Sequence, residues 1–438
     1  MQTSHFVSFP ITDFPRIKWQ VLNWANQFNT FCFLDNHDYR LPHHSYECLL
    51  AAGASDRIEA TGDNALDRLQ DFSLRHPGWL FGHLGFEVQH GLFGLTPPGP
   101  DPLGFPGLFF FVPEILIELQ IGMVRISSPG LDPALVFRDI SAQPARPPAD
   151  LRRPVVIRSR IARESYLGIV EALQRHLQRG DCYEINFCQE FYAEDCRIDP
   201  LALYGRLSVA SPAPFAAYYR LGPRFLICAS PERFLKREAS RLISQPIKGT
   251  RARVSGDPVL DGLARNALLS SSKERSENIM VVDLVRNDLS RVCEAGTVRV
   301  EELMGIYSFP QVHQMVSTVV GQISEGLDWT DLIRATFPMG SMTGAPKKRV
   351  LELISAYEAG PRGLFSGALG YRSPGGDFDF NVVIRSLLYH PGLGHLSFPA
   401  GSAITSYSEA EQEYEECLVK AAAIKKVLAG EPILFSGE

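Results

Sequence analysis

Residues 271–292 read SSKERSENIMVVDLVRNDLSRV, with apolar side chains at Ile279, Val282, Val285, Leu289 and Val292. Steps of three and four residues return to one face of an α-helix, so the spacing predicts a helix from Ser271 to Val292 lying on a core. The flanking sequence has a different rhythm. Phe225–Ala229 and Val382–Leu388 are short runs rich in β-branched and apolar residues, which predicts strands. A second long helix is expected from Ser408, where Ser408 and Glu411 have capping-box spacing, to about Leu428, ahead of Gly430.

Nearer the N-terminus, Phe31–Leu34, Trp79–Leu84 and Phe109–Val112 are apolar runs set among glycines and prolines, and they read as strands and turns. No internal repeat is visible, and strands do not alternate regularly with helices. The expected fold class is therefore α+β, a large two-lobed architecture of β-sheets flanked by helices. The segment AQPARPPADLRRP, residues 142–154, is too rich in proline for a helix and too basic for a core strand. It is expected to link an N-terminal lobe (1–141) to a larger C-terminal region (155–430).

Composition narrows the function. The chain has 438 residues, 45% of them hydrophobic, with 43 basic against 49 acidic side chains. That balance argues against a nucleic-acid-binding surface. No apolar run reaches the ~18 residues of a membrane span. The most apolar stretch, Gly107–Leu119, is interrupted by Pro113, Glu114 and Glu118 and is expected to be a buried strand pair. Met1–Pro10 lacks the basic start and apolar run of a secretory signal, so the cytoplasm is the expected location. The eight cysteines form no C-x-x-C pair and are expected to be buried, reduced thiols.

Four constellations can carry chemistry. Glu274 and Glu277 are three apart on the first helix, as are Glu413 and Glu416 on the second, and such pairs share a helix face. Most acidic pairs are solvated surface, but two facing pairs could hold a hard cation that takes oxygen ligands. In Pro246–Arg253, PIKGTRAR, Lys248 stands beside Gly249, Thr250, Arg251 and Arg253. Burial and neighbouring cations would favour its neutral, nucleophilic form; a solvated basic turn is the alternative. Residues 340–348, GSMTGAPKK, do not satisfy a phosphate-loop pattern, yet the start of the following helix could attract a carboxylate. Arg385, on the strand expected at Val382–Leu388, and the turn expected at Gly401-Ser402-Ala403 could each receive a carboxylate.

From about Ser211 to Leu428 the chain resembles the chorismate-utilising enzymes. The resemblance is carried by SPERF at Ser230–Phe234, PIKGTR at Pro246–Arg251, ENIMVVDLVRNDL at Glu277–Leu289, GSMTGAPK from Gly340, and GALGY ending at Tyr371. It extends more weakly through GDCYEIN, Gly180–Asn186. The resemblance implies Mg²⁺ on Glu277 and Glu416, with Glu274 and Glu413 completing the shell. It implies substrate contacts from Gly249, Thr250, Ser341, Phe365, Arg385, Gly401, Ser402 and Ala403. Lys248 is similar to the branch that aminates C4 of chorismate on the way to p-aminobenzoate and folate, where a lysine attacks the ring covalently. Glu232 then falls at the acid that protonates the departing hydroxyl. The branches that hydroxylate chorismate carry a lysine near Glu184, and this chain has none there. A histidine of the family aligns with Gln314, beside His313, and a polar aromatic is replaced by Phe365. No G-x-C-x-G turn of an amidotransferase is found, so a separate glutamine amidotransferase is the expected ammonia source. Two alternatives remain at this point: component I of anthranilate synthase, and a non-catalytic relative that binds chorismate or tryptophan.

Overall fold

In the computed structural model, which describes residues 5–96, 99–148, 155–254, 256–309 and 312–430, the helix expected at 271–292 runs from Ser272 to Ser290. The Ser271 hydroxyl accepts from the Glu274 N–H (3.4 Å) and starts it. Its buried face is Val281, Val282, Val285 and Leu289, together with Glu277 and Asn278. Ile279 lies outside that face and is exposed, and Asn278, one residue before it, takes the buried place.

The second expected helix spans Ala410–Leu428 with Glu409 at its cap and no side-chain capping bond. Ser408 does not form the expected capping box; its hydroxyl accepts from the Thr405 N–H instead (3.0 Å), closing the turn before the helix. Gly107–Leu119 is also corrected. It belongs to one strand, Leu108–Gln120, which stays unbroken because the register shift at Ala54/Asp56 absorbs the irregularity at Pro113. Residues 149–154 of the expected linker lie outside the described residues.

Among the described residues every strand pairing is antiparallel, within one continuous sheet. N-terminal strands sit between later ones. Thr30–Asp35 pairs with Cys48–Ala60 and with Phe215–Leu221, and Leu80–Leu84 pairs with Ala368–Arg372. Both faces are covered, and the sequence records it: Phe109, Phe110 and Phe111 are consecutive and all buried. Phe110 packs against Trp329 and Phe380, while Phe109 and Phe111 belong to the core on the opposite face. Each such ring removed from water contributes roughly 1.5–3 kcal/mol. The α+β architecture is as the sequence predicts. All eight cysteines are buried and unbridged. No helix of the described residues is long and apolar enough to cross a membrane.

Four strands and two helices position the site. Ile247–Ala252 pairs with Val312–Gln322; Glu184–Ala193 pairs with His395–Ile404; the helices Ser272–Ser290 and Ala410–Leu428 pack on these strands.

Candidate active site

Lys248 enters the site through a bulge. The pairing of its strand shifts register between Ile247 and Thr250, leaving Lys248 and Gly249 as the irregular residues. Gly249 has φ 89°, and a Cβ there would press against Glu274 Oε2 at 2.9 Å, so glycine suits both the backbone and the space. Lys248 Nζ donates to Glu184 Oε1 at 2.6 Å, with both side chains buried.

The expected depression of Lys248 is not what the structure shows. Burial pushes its ammonium down, but Glu184, Glu277 and Glu416 outweigh burial and hold it well above its ordinary value. The cations expected to oppose it point elsewhere. Arg253 pairs with Asp261 at 2.7 Å, and Arg251 is exposed.

The two acidic pairs face one another across Lys273. Lys273 Nζ lies between them, 3.1 Å from Glu413 Oε1, 3.5 Å from Glu416 Oε2 and 3.9 Å from Glu277 Oε1. Lys420 holds Glu416 at 2.8 Å and also donates to the Gly401 carbonyl at 2.8 Å. Glu277 Oε1 and Glu413 Oε2 are buried with no hydrogen-bond partner. Burial pushes Glu277 up to about 7, with Glu184 and Glu274 adding to the effect against the pull of Lys248 and Lys273. Burial also raises Glu274, while Glu416 is lowered by Lys420 and Lys273 against its burial. Surplus acid with orphaned oxygens fits a hard, oxygen-seeking cation.

Glu232 is buried in the turn between the strands Arg224–Ser230 and Arg233–Glu238. Burial pushes its carboxyl up to about 7, although Ser341, Lys248, the Ile247 backbone N–H and Arg385 pull the other way. Ser341 occupies a single 3₁₀ turn, Gly340–Met342, and its carbonyl accepts from Asn186 Nδ2 at 3.2 Å. Its hydroxyl faces Glu232 without a well-formed hydrogen bond.

Arg385 is not on a strand. Of the run expected at Val382–Leu388 only Ser386–Leu388 is strand, within Ser386–His390; Val382–Arg385 form the link from the strand Phe378–Asn381, and Arg385 has φ 50°. A left-handed arginine is a costly conformation of the kind that clusters at functional sites. Burial pushes its guanidinium below its ordinary value, and Glu232 is the charged neighbour that opposes this.

Gly401, Ser402 and Ala403 are likewise not a turn. They lie inside the strand His395–Ile404, opposite Cys188, Phe187 and Asn186. A Cβ at Gly401 would run into the Cys188 sulfur and the Phe187 carbonyl, so the strands approach closely only because this residue is glycine. Phe365 is buried against the apolar core, and Thr250 is exposed at the end of the bulge. Gln314, opposite Thr250, is fully buried with neither amide atom hydrogen-bonded.

Sequence reasoning missed Glu184 and Lys273 as members of the cluster. Glu184 alternates with Asn186 along GDCYEIN, a pattern that places both on one face of a strand, but its lysine partner is far away in the chain. Arg362 was also missed. Its guanidinium ties the Met342 carbonyl (2.7 Å) and the Asn186 carbonyl (2.9 Å) to Glu358, fixing the Ser341 turn against the Glu184 strand.

Residues 28–426 match the family described as chorismate binding enzyme. The chain belongs to that family. It is similar to "Aminodeoxychorismate synthase component 1" of Klebsiella aerogenes, with 40% identity over 289 residues, covering 66% of this chain and 63% of that protein. It is similar to "Aminodeoxychorismate synthase" of Streptomyces griseus, 41% identical over 268 residues, 61% of this chain and 36% of that one. The chain thus spans less than two thirds of these relatives' length. A longer match joins it to "Anthranilate synthase component 1" of Cereibacter sphaeroides, 31% identical over 433 residues, 94% of this chain and 84% of that protein. Among solved structures, anthranilate synthase component I from Streptococcus pneumoniae superimposes with a TM-score of 0.74 at 26% identity, covering 89% of this chain and 94% of that one. The menaquinone-specific isochorismate synthase of Escherichia coli shares the fold at 18% identity, with a TM-score of 0.76 over 97% and 94% of the chains.

Proposed function

We propose that this chain is a component I of aminodeoxychorismate synthase, turning chorismate and ammonia into 4-amino-4-deoxychorismate in the cytoplasm, on the route to p-aminobenzoate and folate. The ammonia comes from a glutamine amidotransferase partner. The observation that carries the reading is Lys248, a buried amine hydrogen-bonded to Glu184 and facing a carboxylate-rich cleft next to Glu232.

Lys248 is held as an ammonium, so its first act is to pass a proton to Glu184, its 2.6 Å partner. The free amine then bonds to the substrate ring while the bond from C4 to oxygen breaks, and protonated Glu232 gives its proton so that water leaves. A carboxyl pushed up to about 7 still holds that proton near neutrality. Ammonia next bonds to C4 as the lysine leaves as neutral amine. The product's extra proton returns to Glu232, and Glu184 returns its proton to Lys248. Two displacements leave the configuration at C4 retained.

Glu277 and Glu416, with Glu274 and Glu413 beside them, would hold Mg²⁺. The ion supplies positive charge for a substrate carboxylate in a cleft that is otherwise too acidic to accept one. Arg385 and the 401–403 strand would receive the second carboxylate, and Ser341, Gly249, Thr250 and Phe365 border the ring.

A second reading, anthranilate synthase component I, draws on the long match to the Cereibacter sphaeroides protein. Purified chain incubated with chorismate, Mg²⁺ and ammonium decides between them by mass spectrometry. The expected product keeps the enolpyruvyl group and carries nitrogen at C4. Fluorescent anthranilate with released pyruvate would replace this reading by the second. Glutamine in place of ammonium is expected to give product only after an amidotransferase is added.

A further inference from the structure

We propose that the Lys273 ammonium is the resident cation of the carboxylate cleft, and that a divalent ion enters by expelling it. Lys273 thereby sets how tightly and how selectively the cleft takes metal. The inference rests on the Mg²⁺ reading above.

Lys273 reaches carboxylates on both helices, Glu277 on its own and Glu413 and Glu416 on the other, at 3.1–3.9 Å. These are ammonium distances, well beyond the ~2.1 Å of a magnesium–oxygen bond. An ion bonded to the same oxygens would lie within a few ångströms of Nζ, where two like charges repel strongly at low dielectric. One of them has to leave. The lysine can, because its side chain is 43% exposed, whereas Glu413 is fully buried and cannot follow.

Its place in the chain points the same way. Lys273 is the second residue of the helix Ser272–Ser290, where the positive end of the helix dipole disfavours a cation. Among the described residues, carboxylates alone pair with it there. It also leaves the cleft incompletely served, since Glu277 Oε1 and Glu413 Oε2 have no hydrogen-bond partner even with the ammonium present. A sodium or potassium ion brings no more charge than the tethered ammonium it would have to replace. A divalent ion brings twice as much, so the lysine acts as a filter against monovalent ions.

The test is calorimetric titration of metal-stripped protein with MgCl₂, comparing wild type with Lys273→Met. Removing the competitor is expected to tighten Mg²⁺ binding about tenfold or more. It is also expected to lower the melting temperature of the metal-free protein and to enlarge the rise that Mg²⁺ produces. Amine acetylation followed by peptide mass spectrometry should find Lys273 protected without Mg²⁺ and reactive with it. Unchanged or weaker Mg²⁺ binding in the variant overturns the inference while leaving the metal site standing. Equal protection of Lys273 with and without Mg²⁺ overturns it too. If neither protein takes up Mg²⁺, the four-glutamate site itself falls, and this inference with it.

Discussion

Asp35 and Glu277 are both carboxylates drawn into the interior beside lysines, one in the N-terminal part of the sheet and one in the cleft. Asp35 is fully served. It accepts from Lys18 (2.6 Å), from the Tyr204 hydroxyl (2.7 Å) and from the His37 backbone N–H (3.0 Å). Burial pushes its carboxyl up, but His37, Lys18 and Tyr204 hold it below the usual carboxylate range. With Glu47 and Cys48 it even has the spacing of a metal site, yet its own lone pairs are already occupied. Glu277 has an orphaned oxygen, acidic neighbours, and a carboxyl pushed up to about 7. A buried charge with all its partners is a structural joint. A buried charge short of partners keeps acceptor capacity to spare.

The most damaging change on the cleft side should be Lys248→Ala. Turnover is expected to fall on the order of 10³-fold or more, with the chorismate KM changed only a few-fold, since the carboxylate contacts and acidic helices remain. Trapping wild-type protein with chorismate and no ammonia should add mass to the Lys248 peptide. An alanine variant with near-normal amination would make the lysine a bystander.

On the closed side, Asp35→Asn should cost about 3 kcal/mol of stability, read by denaturant unfolding, because the half-buried Lys18 loses its counter-ion. Turnover per folded molecule should stay normal. The sign with pH follows from the lowered carboxyl: its contribution is present above the unfolded value near 3.9 and is lost as pH falls below it. The variant's stability should therefore decline less steeply in acid than the wild type's.

The matching change in the open cluster, Glu277→Gln, should move metal-free stability by only about 1 kcal/mol, since the charge it removes is poorly compensated. Mg²⁺ affinity measured by calorimetry should drop tenfold or more. A stability loss as large as that of Asp35→Asn would erase the contrast between the two clusters.

A change of pH alone, with no substitution, bears on Glu232. In the proposed mechanism Glu232 gives its proton to the departing water, and burial pushes its carboxyl up to about 7. The value of kcat/KM should fall above that pH, approaching tenfold per unit. A flat profile to pH 9 would take the acid role from Glu232.

Local sequence determined the elements and the residue types of the site. The helix at 272–290 follows from its apolar spacing and its serine cap, and the buried run Phe109–Phe111 follows from a sheet covered on both faces. Glu274 with Glu277, and Glu413 with Glu416, share helix faces because three residues make nearly one turn. Family resemblance supplied the roles proposed for Lys248 and Glu232. Tertiary structure decided which charges meet. Lys248 was read against Arg251 and Arg253, its neighbours in the chain, but its bulge turns it toward Glu184, 64 residues away, and toward glutamates on two helices. That reverses the sign of its expected shift. Arg385 and the 401–403 segment changed for the same reason: strand pairing fixed one as a strained link and the other as a strand interior. Backbone preferences act over a few residues and are written in the local sequence. Electrostatic shifts depend on distance in space, which only the folded chain supplies.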